Sequence, residues 1–169
     1  MRVDNLVLVG FMGTGKSTVG KRLAERLEWK FRDSDAVLEN DAKTSISELF
    51  RMKGEDYFRA LETKTIARIM TGRHQVVATG GGAVLAEANR TSMMDNGLVI
   101  ALQATAQTII ERVKKDTNRP LLQGNLEERV HTLIEQRKTA YDFAHIKIDT
   151  TSMSEDEIVE SILLQAGLA

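Results

Sequence analysis

The sequence predicts an α/β fold built on a parallel sheet of about five strands. Two observations carry that prediction. Short apolar runs alternate with longer amphipathic stretches throughout the 169 residues. The first of those runs also passes straight into a glycine-rich segment and then a helix signal. Right-handed crossovers would set helices on both faces of such a sheet, with ligands beyond the carboxyl ends of the strands.

Taken in order, Leu6-Val7-Leu8-Val9 is a continuous apolar run of the kind found in strands buried on both faces, and it ends at Gly10. A helix is expected over 17–27, where Val19, Leu23 and Leu27 recur at i, i+4 and i+8. Residues 31–33 form a short second strand. Ser45 and Glu48 have capping-box spacing and open a helix that Gly54 interrupts before a second stretch over 55–70. Residues 75–78 are a third strand running into Gly80-Gly81-Gly82, and 98–102 a fourth. A helix over 106–114 would turn Ile109, Ile110 and Val113 inward. Periodicity is lost over 115–124, which reads as a loop. Asn125 with Glu128 starts a long helix reaching to about Phe143, Ile146 and Ile148 mark a last strand, and Ser154 with Glu157 caps a terminal helix.

Composition narrows the function. Hydrophobic residues make up 42% and charged residues 28% of the chain, and no apolar run nears the ~20 residues of a membrane span. The formal charge of -1 gives no general attraction for nucleic acid. With no cysteine, disulfides, thiolate metal sites and thiol catalysis are absent, and the opening residues carry no signal-peptide pattern. A cytoplasmic monomer is expected, with neither a nucleic-acid nor a membrane partner. The three histidines, His74, His131 and His145, lack metal-ligand spacing and read as surface or packing residues.

Gly10-Phe11-Met12-Gly13-Thr14-Gly15-Lys16-Ser17 fits G-x-x-x-x-G-K-[ST] at every fixed position, between a strand and a helix. Glycines let backbone N–H groups converge on phosphate oxygens, the helix N-terminus adds partial positive charge, Lys16 reaches the terminal phosphates and Ser17 can ligate magnesium. A nucleoside triphosphate with Mg²⁺ is the expected ligand. No Asn-Lys-x-Asp guanine-reading segment is present, which weighs against a GTPase.

Other groups leave alternatives open when taken singly. On an alternating strand Asp33 and Asp35 would face one side, suited to placing magnesium and binding a substrate hydroxyl, although an acidic loop or a helix cap would look the same. Arg59 and Glu62 are neighbours at i, i+3, as in any surface ion pair. The Gly80 to Gly82 triplet suits a ligand touching backbone, or a plain turn. Arg119, beside the only proline, Pro120, could close over phosphates or simply be solvated. Arg137, four residues before Tyr141 on the long helix, could fork an anionic substrate's carboxylate.

Together, in this order and spacing, the phosphate loop, Asp33-x-Asp35, Phe58-Arg59 with Glu62, the glycine triplet, Arg119-Pro120-Leu121-Leu122 and Arg137 with Tyr141 resemble bacterial shikimate kinases over essentially the whole chain. The resemblance implies a three-layer P-loop fold of the nucleoside-monophosphate-kinase type. Residues 1–169 would form one kinase domain, with a substrate-binding helical excursion over about 34–62 and a lid over about 115–125. It also implies ATP-dependent phosphorylation of the 3-hydroxyl of shikimate, on the route to aromatic amino acids.

By matching position, Lys16, Asp35 and Arg119 would be catalytic. Gly13, Thr14, Gly15, Lys16, Ser17 and Thr18 would hold ATP with Arg112 and Arg119, Arg112 stacking on adenine. Ser17 and Asp33 would serve Mg²⁺, Asp33 through water. Arg59 and Arg137 would clamp the shikimate carboxylate and Asp35 its hydroxyls, while Phe50, Phe58, Glu62, Gly80, Gly81 and Gly82 complete the pocket. After the last strand, where some relatives carry an arginine- and proline-containing segment, this chain has Thr150-Thr151-Ser152-Met153. Two rival readings are a gluconate-type carbohydrate kinase, sharing the phosphate loop, and a nucleotide-binding regulator without transfer. The paired arginines and glycine triplet speak against the first, and Asp35 with Arg119 against the second.

Overall fold

Strand β1 (Asn5–Gly10) is buried at every position and forms the middle of a five-stranded sheet. In the computed structural model, which describes residues 2–115 and 125–169, the remaining strands are β2 (Lys30–Asp33), β3 (Gln75–Ala78), β4 (Leu98–Gln103) and β5 (Ile146–Asp149). They lie in the order β2-β3-β1-β4-β5, and every adjacent pair is parallel. Successive side chains of a strand point to opposite faces, so an uninterrupted apolar run must be covered on both.

Helices supply that cover. Leu6 and Leu8 pack with Val19 and Leu23 of α1 (Lys16–Leu27) and Ile158 and Ile162 of α8 (Glu155–Ala166). Val7 and Val9 pack on the other face with Ile66 and Ile69 of α4 (Glu55–Ile69) and Met93 of α5 (Glu87–Asn96). A third cluster joins Phe11 and Met12 to α6 (Ala106–Val113) and α7 (Leu126–Gln136). A fourth, around Leu38, Leu49 and Phe58, holds α2 (Ser34–Ala42) and α3 (Ile46–Lys53) onto α4. Among the described residues no helix is long and apolar enough to cross a membrane.

Two expectations change. The helix begun at Asn125 ends at Gln136, not near Phe143: Arg137 caps it, and i→i+3 bonds from Ala140, Asp142 and Ala144 then wind 137–144 into turns. Two different cores cause the change of direction, since Val130 of α7 packs under α6 whereas Tyr141 packs against β1 and α4. Asp33 does end β2, but the strand does not continue through Asp35, and of the alternatives open for this segment the helix cap is the one found. Asp33 is the N-cap of α2, accepting from the N–H groups of Asp35 (3.0 Å) and Ala36 (3.2 Å), so Asp35 stands in the first helical turn. Apolar periodicity marks neither α2, which lies within the helical excursion that the resemblance implies over about 34–62, nor α5, because each buries only two residues. The loop expected over 115–124, with Arg119 and Pro120, lies outside the described residues apart from Lys115.

The caps otherwise follow their spacing. Ser45 and Asn125 accept from the third helical N–H, and Ser154 with Glu157 forms a reciprocal capping box. Ser154→Ala should lower stability by about 1 kcal/mol in urea unfolding.

Candidate active site

The segment between β1 and α1 closes on itself through the Thr14 hydroxyl, which donates to Phe11 O at 2.7 Å. Gly13 (φ 74°) and Gly15 (φ 93°) occupy left-handed backbone that residues with a Cβ rarely adopt. Gly15 is the N-cap of α1 and offers no side-chain acceptor, leaving the helix's first N–H groups to an anion. Lys16 is buried, and its ammonium donates to Gly10 O (2.7 Å) and Phe11 O (2.9 Å), within the loop it would leave to meet a phosphate. Ser17 Oγ donates to Asp33 Oδ2 at 2.9 Å, so one carboxylate joins the loop to the start of α2. Arg112, at the end of α6, donates to Gly13 O at 2.9 Å.

A cavity of about 460 Å³ opens over this loop, lined by Gly13, Thr14, Gly15, Lys16, Ser17, Thr18, Asp33 and Arg112, all expected. Met153, Glu155 and Ile158 also line it. Sequence reasoning missed these three, and the only signal was the position of 150–153 just after the last strand. Arg119 lies outside the described residues.

A second cavity, about 590 Å³, sits between the carboxyl end of β3 and α2 to α4. All nine residues expected at the substrate line it: Asp35, Phe50, Phe58, Arg59, Glu62, Gly80, Gly81, Gly82 and Arg137. Met12, Glu39, Ser45, Ile46 and Ser47 line it as well. Of these, the sequence marks Ser45 only as a helix cap and Met12 only as a packing or surface position of the phosphate loop. The two cavities meet at Asp35, Gly80 and Gly81.

The glycine triplet explains how charged heads crowd this junction. A Cβ on Gly80 would stand 2.9 Å from Asp35 Oδ1 and 3.3 Å from Glu62 Oε2, and one on Gly82 only 2.5 Å from Arg59 Nη2. Gly81 has more room, its nearest neighbour being Met12 N at 3.4 Å. Tyr141 donates to Gly81 O at 2.8 Å, and burial raises its hydroxyl pKa to about 12, keeping it a neutral donor.

Glu62 is 2% exposed. Its Oε1 accepts from Arg59 Nη1 at 2.9 Å while Oε2 has no partner. Burial raises its pKa, and Arg59 and Arg137 oppose the rise. Arg137 is 6% exposed and its Nη1 is also unpartnered. An orphaned buried donor is costly, which fits an anionic ligand that completes it. The rings of Phe50 and Phe58 lie 5.0 Å apart and give this charged cavity one apolar wall.

No cluster of three or more histidine or carboxylate side chains able to hold a metal exists among the described residues. The Ser17 hydroxyl and Asp33 carboxylate are hard oxygen donors, a set that fits a magnesium ion arriving with phosphate and water ligands.

Burial, with the nearby charges of Asp33 and Glu62, raises the Asp35 pKa from 3.8 to about 6. The folded-state value lies above the unfolded one, so the fold favours the protonated carboxyl. That contribution is whole below about pH 3.8 and is lost as the pH rises through about 6. Asp35→Asn, which removes the charge and keeps the shape, should therefore be more stable than the parent by about 2–3 kcal/mol at about pH 8. The two should unfold alike at about pH 3.5 in urea titrations.

Comparison with known proteins agrees with this geometry. The shikimate kinase family model matches residues 12–166. The chain is 43% identical to a shikimate kinase of Thermodesulfovibrio yellowstonii, over 95% of this chain and 94% of that one. To one of Geobacter sulfurreducens it is 46% identical, over 94% and 88%. A solved shikimate kinase of Acinetobacter baumannii in complex with shikimate superposes with a TM-score of 0.93 at 36% identity, over 97% of this chain and 93% of that one. A gluconokinase of Sinorhizobium meliloti, at TM-score 0.66 and 23% identity over 98% and 91%, shares the fold alone. Matched along almost all of its length by sequence and by structure, the chain belongs to the shikimate kinase family and carries shikimate kinase activity.

Proposed function

We propose that the enzyme transfers the γ-phosphoryl of ATP to the 3-hydroxyl of shikimate in a cytoplasmic monomer, with Ser17 and Asp33 as the side chains that would hold Mg²⁺. The observation that carries this reading is the junction of a phosphate-loop cavity with an arginine-lined one at Asp35, Gly80 and Gly81. ATP occupies the first cavity, its phosphates along the N–H groups of Gly13 to Thr18 and its base beside Arg112. Lys16 exchanges its two carbonyl acceptors for phosphate oxygens. Magnesium, when bound, neutralises phosphate charge, and Ser17 and Asp33 are the side chains that would hold it.

Shikimate occupies the second cavity, where the guanidinium forks of Arg59 and Arg137 receive its carboxylate. Glu62 holds the Arg59 fork in place, Phe50 and Phe58 cover the ring, and Gly80 to Gly82 let the substrate lie close to backbone. Asp35 receives the hydroxyl groups. The 3-hydroxyl oxygen then bonds to the γ-phosphorus, the bridge to ADP breaks, and the hydroxyl proton passes to Asp35. A carboxylate with pKa about 6 is mostly ionised at neutral pH and still a usable proton acceptor. Loose phosphoryl transfer depends mainly on such positioning and on positive charge, and Arg119 is taken, on family resemblance, to supply more of the latter at the phosphoryl group.

An ADP-release assay run with shikimate, gluconate and nucleoside monophosphates tests the reading. Release should require shikimate, and NMR of the product should place phosphate on the 3-oxygen. Release without shikimate, or phosphate on another oxygen, would refute it. Arg137→Ala should raise the KM for shikimate by about 10- to 100-fold with little change in that for ATP, in initial-rate kinetics. Gly82→Ala should displace the Arg59 fork and also raise the shikimate KM, whereas Gly81→Ala, with room for its methyl, should have the smaller effect in the same assay.

A further inference from the structure

Helix α3 stands between two cavities. One is the proposed substrate cavity, reached by Phe50; the other, about 550 Å³, lies behind α3 and is reached by Leu49. The rear cavity shares no lining residue with either the arginine-lined or the phosphate-loop cavity. Its volume is that of a small-molecule site, and the mechanism above makes no use of it.

Its chemistry is uneven. Leu38, Leu49 and Leu61, one from each of α2, α3 and α4, give it an apolar floor. The anions at its rim are already matched, Asp41 by Arg68 and Glu48 by Arg51, the latter at 2.7 Å. The lysines are not. Among the described residues Lys53, 5.8 Å from the centre of the Tyr57 ring, has no carboxylate against it, and Lys64 has no ion-pair partner. An apolar floor beneath two unmatched ammonium groups is complementary to an anion with an apolar body.

We propose that this rear cavity is a second binding site, for a small carboxylate whose apolar body rests on Leu38, Leu49 and Leu61 and whose charge meets Lys53 and Lys64. The reading is independent of the transfer mechanism, because none of these residues takes part in it.

The test titrates ¹⁵N-labelled enzyme with 3-phenylpropanoate while amide resonances are followed, in the presence of saturating shikimate so that the substrate cavity is closed to the probe. Shifts at Leu38, Leu49 and Leu61, with a dissociation constant on the order of 1 mM, are expected for a ligand of this size. The Lys53→Gln, Lys64→Gln double variant should bind about tenfold more weakly. The uncharged 3-phenylpropanamide should bind the unaltered enzyme as weakly as the acid binds the variant, a comparison that does not depend on how the variant folds. Absence of shifts at the three leucines would overturn the proposal. So would equal affinity for acid and amide, or shifts that appear only without shikimate and centre on Phe50, Phe58 and Arg59.

Discussion

A methyl group on Gly80 or Gly82 would fall on the oxygens of Asp35 or the guanidinium of Arg59. That steric fact organises the rest of the site. The charged heads from α2 and α4 converge on the end of β3 because its backbone has no side chains to hold them off. Their convergence lets Asp35 border both cavities. Glycine weakens a strand or helix through its conformational freedom, and here the cost falls just beyond Ala78, where the strand has already ended.

The same crowding sets the electrostatics. A chain with a formal charge of -1 places Lys16, Arg59, Arg112 and Arg137 around two adjoining cavities. The arginines do not simply cancel the carboxylates. Glu62 keeps one oxygen on Arg59 and one without a partner, and Arg137 keeps a buried nitrogen unpartnered. Buried ion pairs with unmatched atoms contribute little to stability, and often reduce it. The raised pKa values of Asp35 and Glu62 are the protonation side of that strain. A site complete without ligand would have fewer orphaned atoms and less to gain by binding one.

How far this was legible in the sequence depends on the kind of signal each residue carries. The phosphate loop is contiguous, so its spacing alone marks Gly10 through Ser17, and the buried strand before it gives away its context. Asp35, Arg59, Glu62 and Arg137 are scattered, and taken singly each is compatible with an ordinary surface role; only their joint order points to one family. Helix α5 escaped because only Asn89 and Met93 are buried in it, too few to write a period of 3.6. The end of α7 escaped for the opposite reason. Apolar residues continue past Gln136, but Ala140, Tyr141 and Phe143 serve another core, and a sequence does not say which core an apolar residue joins. Met153, Glu155 and Ile158 reach the phosphate-loop cavity through the packing of α8 and the residues before it on α1, a contact made across more than a hundred residues of chain.

Strand order explains why these distant pieces had to meet as they do. Neighbouring strands lie about 4.8 Å apart, so the ends of β1 and β2 are separated by roughly 10 Å with β3 between them. The end of β1 carries the phosphate loop, and the end of β2 carries Asp33 and then Asp35. On the function proposed above, a phosphoryl donor held by the first and a hydroxyl held by the second would meet above the end of β3, at a separation of about 3 Å. A side chain of any size at that point would then stand in the way of the reacting atoms. In that reading β3 must run out into Thr79 and three glycines or obstruct the transfer, and the Ser17 to Asp33 hydrogen bond spans it on one side while Tyr141 fixes it from another.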